Sequence, residues 1–118
     1  MGIRESETEC AAVAVAPRVS LASMEAKIIS VHHFRMSEAL KAMNALVKAQ
    51  IDDIPASLDL LSVCVIVMEN GFSVIGKSAP ASAENFNAEL GKKLAYEDAI
   101  RQLWPLEGYA LRERLLAS

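Results

Sequence analysis

The stretch GFSVIGKS, residues 71–78, has the spacing of a phosphate-binding loop: a glycine, four intervening residues, then Gly-Lys-Ser. Such a loop works because the Lys-Ser pair opens a helix, so that free backbone N–H groups and the helix dipole meet the phosphates. Here Ser78 is followed by Ala79 and Pro80, and no helix can begin before about Ser82. Phe72, Ser73, Val74 and Ile75 suit a strand, and Asn70-Gly71 is a hairpin turn signal, because both residues of a type I′ turn need positive φ. The match therefore predicts a hairpin, with Lys77 a solvated strand residue.

Other residues could do chemistry, each with a plainer reading beside it. Ser82 can cap a helix whose unpaired N–H groups, over residues 83–86, lie beside Ser78 and Asn85; this is either a simple cap or a seat for phosphate. Lys93, Glu97 and Arg101 are spaced i, i+4, i+8 within the same half-turn as Phe86, Leu90, Leu94 and Trp104. That ladder is either an ion-pair network across a subunit seam, or a place where Lys93 and Arg101 meet an anionic ligand. Phe72 and Trp104, with Tyr96 and Tyr109, either pack in a core or offer flat surfaces for a base. His32 and His33, read as helical neighbours, diverge by about 100° and do not grip one metal ion. No Ser-His-Asp constellation or isolated carboxylate pair stands out, so no enzyme and no cofactor is expected.

Positioning these residues falls to a single domain, as expected for 118 residues. The net charge of −3 argues against DNA or an anionic membrane surface as partner. The two cysteines, Cys10 and Cys64, give no disulfide framework or zinc spacing, no apolar run approaches a membrane span, and the N-terminus lacks a secretory pattern. The fold class expected is α+β. Residues 1–19 read as a flexible arm, and residues 20–118 as the folded unit. Ser23 is expected to cap a helix running through MEAKIISVHHF, and Ser37-Glu38 a second helix stopped by Asp52, Asp53 and Pro55. The antiparallel hairpin follows, then a long C-terminal helix from Ser82 with a break at Pro105.

In the first strand of the hairpin, Leu61, Val63, Val65 and Val67 point one way and Cys64, Ile66 and Met68 the other. One helix layer cannot cover both faces, and an isolated hairpin leaves two open edges. A second chain is therefore expected to complete the sheet or cover its other face.

The run NGFSVIGKSAPASAENFNAELGKKLAYEDAIRQLWPLEGYALRERL resembles a family of small phage and prophage accessory proteins of long-unknown function. The resemblance rests on Asn-Gly-Phe, a Gly-x-Ser element, an Asn-Phe pair opening a helix, Trp-x-Leu-x-Gly-Tyr and Leu-Arg-x-Arg-Leu; it spans about Leu60 to Leu115, and APRVS and EAKIISVHHF match more loosely. Pro80 and Asn87 depart from it, where relatives commonly carry a cysteine and an acidic residue. The family in turn is similar to the Thoeris anti-defence proteins, phage sponges that capture cyclic ADP-ribose isomers, some also holding cyclic di- or trinucleotides in assemblies built from dimers. The resemblance implies a protein of the host cytoplasm that sequesters a cyclic nucleotide without cleaving it, as a dimer or a dimer-based hexamer. The residues expected at the ligand are Phe72, Ser78, Asn85, Lys93, Arg101 and Trp104. The rival expectation is a phage accessory protein that inhibits or recruits a host protein.

Overall fold

The computed structural model describes residues 3–13, 16–47 and 53–118. The described chain is α+β: helices α1 (Ile3–Val13) and α2 (Leu21–Glu25), strand β1 (Ile28–Arg35), helix α3 (Met36–Val47), strands β2 (Ser62–Met68) and β3 (Ser73–Ser78), and the long helix α4 (Ala88–Ala117). The strands form one antiparallel sheet in the order β1-β2-β3.

β1 occupies residues expected to be helical. The helix there is only α2, capped one turn earlier than expected: the Ser20 hydroxyl accepts from the Ser23 N–H, and Ser23 returns a bond to the Ser20 N–H. Beyond it, Ile28, Ile29 and Val31 are β-branched and poor at holding a helix, and the strand they enter is held by pairing with β2. Apolar residues at 28, 31 and 34 fit a helical stripe, but the long-range ladder decided the outcome. The hairpin is thus two strands of three, and its loop holds three residues where a two-residue Asn70-Gly71 turn was expected: the Gly71 N–H donates to the Met68 carbonyl at 2.9 Å, the Met68 N–H to the Phe72 carbonyl at 2.8 Å, and Gly71 follows the turn at a positive φ of 88°.

The alternation expected in β2 holds. Cys64, Ile66 and Met68 are buried beneath α4 together with Val74, Ala95, Ala99, Ile100 and Leu103, and Leu21 and Met24 close the core from α2. On the opposite face Val63 is buried, but Val65 and Val67 are half-buried and Ile75 is exposed. Gly76 lets α4 approach β3: a Cβ there would overlap the Ala95 carbonyl oxygen.

The segment expected as an arm carries α1, held by an ion pair in which Arg18 donates to both Glu7 carboxylate oxygens, at 2.9 and 3.1 Å. α3 begins at Met36, so Ser37, expected as its cap, lies buried inside the first turn; the expected stop at Asp52 lies outside the described residues. Ser82 caps only a short 3-10 turn, Ala83–Asn85, and α4 starts behind it with Asn87 accepting from the Leu90 N–H at 3.0 Å. Pro105 falls inside α4, which runs on to Ala117. The proline deprives the Arg101 carbonyl of its usual donor, and both residues lie on the solvent side, where water can serve instead.

Candidate functional site

Among the described residues the six expected at the ligand are spread over separate places. Phe72, half-exposed at the hairpin tip, lines a groove of about 330 Å³ with Asn70, Leu106, Glu107 and Arg114. Ser78 and Asn85 share a small hollow of about 110 Å³ at the other end of the sheet, with Pro80, Phe86 and Leu90. Arg101 and Trp104 line a wide depression of about 530 Å³ under α1, facing Glu7, Cys10 and Arg18. Lys93 is exposed on α4. Arg101 lies thirteen residues beyond Ala88 on α4, about 20 Å along the axis, so it cannot serve a phosphate seated at that helix's start within one chain. The ladder of Lys93, Glu97 and Arg101 gives way to shorter pairs: Arg101 lies 3.8 Å from Asp98, and Lys92 3.7 Å from Glu89.

The structure instead gathers cations at a cleft of about 250 Å³ between the end of β1 and the start of α4. His33 and Arg35, two apart on β1, pair with Cys64 and Ser62 on the helix-covered face of the sheet. Lys92 comes from the first turns of α4, and Phe86 from the loop before it; all four line the cleft with Ala88 and Glu38. The Arg35 guanidinium stands 5.7 Å from the Phe86 ring centre, in cation–π range. Its Nε donates to Glu38 at 2.8 Å, and this bond holds the Glu38 carboxyl below its ordinary value. Burial pushes the His33 imidazole down, with the Lys92 charge adding to it and Glu89 opposing. At the helix start the Asn87 side chain takes the Leu90 N–H and its carbonyl the Gly91 N–H, while the Ala88 and Glu89 N–H groups have no intrahelical acceptor. A ring, a guanidinium, an ammonium and an open helix start suit an anion that carries a flat base.

None of His33, Arg35, Phe86 and Lys92 was among the expected ligand residues. Reading residues 28–35 as a helix hid the first two, because only strand alternation puts His33 and Arg35 on one face. The same alternation sends His32 to the opposite face, where its Nε2 sits 3.0 Å from the Ser30 hydroxyl.

Residues 19–115 match the model of the phage protein (N4 Gp49/phage Sf6 gene 66) family. The chain belongs to this family. No curated protein and no solved structure gave a match. The matched range runs from just before α2 to the last turn of α4, so it takes in the whole sheet and the cleft. Membership in the family makes this a phage protein, and among the described residues no helix is long and apolar enough to cross a membrane.

Proposed function

We propose that this phage protein captures an anionic nucleotide signal, a cyclic ADP-ribose isomer or a cyclic di- or trinucleotide, and withholds it from a host defence without cleaving it. The observation that carries the reading is the convergence of Arg35, Lys92, His33 and the first turn of α4 beside the Phe86 ring. Phosphate oxygens would take charge-assisted bonds from Arg35 and Lys92, which are about twice as strong as neutral ones, and the base would lie against Phe86. The choice of ligand class rests on the resemblance to anti-defence sponges; family membership supports a phage protein. Neither nucleophile nor paired carboxylate is needed for this task; capture requires only affinity. Calorimetry with cyclic ADP-ribose isomers and cyclic dinucleotides tests it, followed by mass spectrometry of the ligand recovered after heat denaturation. Binding with intact recovery is the expected outcome. Absence of heat for every compound removes the reading, and recovery of a cleaved product replaces capture by hydrolysis.

A second reading rests on the C-terminal half of α4, where Leu106, Tyr109 and Leu116 are 46%, 70% and 82% exposed. Such a row suits a protein-binding accessory factor acting on a host protein. Stoichiometric capture of one host protein, lost in the variant Tyr109→Glu, would favour it over nucleotide capture.

A further inference from the structure

The two edges of the sheet are treated differently. On β3 two of the outward-facing backbone groups are met by α4: the Lys77 N–H donates to Asp98 at 2.9 Å, and Gln102 donates to the Ile75 carbonyl at 2.7 Å. A further strand cannot add there without displacing the helix. On β1 the ladder phase follows from the Met36 N–H donating to the Leu61 carbonyl, a bond in register with the pairing of Phe34 with Val63 and of His32 with Val65. Those even-numbered residues bond inward to β2, so Val31, His33 and Arg35 turn their backbone groups outward. The Arg35 N–H is met by Glu38 at 3.3 Å. Among the described residues nothing meets the N–H and carbonyl groups of Val31 and His33.

β1 has few of the devices that blunt an edge: it carries no proline or lysine, its arginine, Arg35, stands at its last position, and its single irregularity falls at its start, between Ile28 and Ser30. Its exposed residues are two apolar ones, Ile29 and Val31 at 65% and 38% accessible, and the two histidines, His32 and His33. The molecule also shows more surface than its mass requires. Its accessible area is 8098 Å², against about 6,300 Å² for a compact monomer of this size, an excess of about 1,800 Å². A standard interface removes about 800 Å² from each partner, so a single copy leaves room for one or more contacts with its own kind.

We propose that a second copy of this chain pairs its β1 antiparallel to β1 about a two-fold axis at His32, making one six-stranded sheet. The open groups dictate that register. Two donors and two acceptors at Val31 and His33 are self-complementary when Val31 faces His33 of the second copy, giving four bonds and leaving the Arg35–Glu38 bond undisturbed. A two-fold normal to the sheet keeps both α4 helices on one face. It also sets Val31 of the second copy beside His33, so each copy supplies a wall to the other's cleft. The seam stands on backbone geometry alone and does not depend on the nucleotide reading.

Light scattering, a proline variant and a cross-link test it together. The full chain is expected to give at least a dimer mass at micromolar concentration. Val31→Pro removes only an outward N–H and is expected to give a smaller assembly with unchanged circular dichroism; Ile75→Pro, on the edge already covered by α4, is expected to keep the parent mass. In a Cys10→Ser background, His32→Cys is expected to form an interchain disulfide on mild oxidation, and Lys77→Cys is expected not to. A monomeric parent overturns the proposal. So does an oligomer that Val31→Pro leaves intact and His32→Cys does not link, since the seam would then lie elsewhere.

Discussion

Gly76 on β3 lies directly against the backbone of Ala99 on α4, so close that a Cβ at residue 76 would stand 2.5 Å from the Ala99 nitrogen. The glycine that completes the phosphate-loop spacing is therefore a helix–strand contact. No helix opens at Lys77-Ser78 to receive a phosphate, and the glycine has its place because only a hydrogen fits beneath α4.

Gly76→Ala is expected to destabilise the fold by about 1–3 kcal/mol, the usual cost of overpacking a rigid contact. Gly108 gives the opposite case, because it lies inside α4 with nothing within 4 Å of an added Cβ. Gly108→Ala is expected to stabilise by about 0.5–1 kcal/mol through helix propensity. Urea unfolding of the two variants beside the parent reads both shifts in midpoint.

Arg35→Ala and Lys92→Ala are each expected to weaken binding of a cyclic nucleotide at least about ten-fold, as a charge-assisted bond contributes about 1.5–3 kcal/mol. Arg101→Ala, at the distant depression under α1, is expected to leave affinity within about two-fold, a difference of less than about 0.5 kcal/mol. Calorimetry on the three variants decides between the cleft and the depression. Equal losses in all three would mean that one ligand spans sites on different copies.

The imidazole of His33 is held below its ordinary value by burial first and by Lys92 second. The unfolded chain therefore takes up this proton more readily than the folded one. The neutral ring's contribution to stability is complete above about pH 6.5 and is lost as pH falls through that value toward the depressed folded one. A bound anion acts in the other sense, favouring the charged ring, so affinity is expected to rise as pH drops over the same window, with proton uptake. Calorimetry in two buffers of different ionisation enthalpy measures the uptake, which His33→Gln is expected to abolish.

Cys64 is fully buried beneath α4 and burial pushes its thiol up, whereas Cys10 on α1 is exposed. A thiol reagent is expected to modify one cysteine in the native protein and the second only in denaturant. Fast labelling of both without denaturant would show that α4 opens from the sheet.

The amino-acid sequence by itself determined the α+β class, the hairpin at Asn70-Gly71, the two-sided apolar alternation of β2 and the long last helix. Each follows from local chemistry, a glycine free to take positive φ, period-two burial and a long helical pattern, although the cap of the last helix falls at Asn87 and not at the expected Ser82. Tertiary structure decided what local signals left ambiguous. Residues 28–35 satisfy a helical stripe and a strand alike, and only pairing with β2 selects the strand. That one selection turns His33 and Arg35 to the same side, carries His32 to the other, and brings Lys92 and Phe86 from more than fifty residues away into a cleft. Spacing along a chain fixes which residues share a face of one element; it is packing between elements that fixes which faces meet.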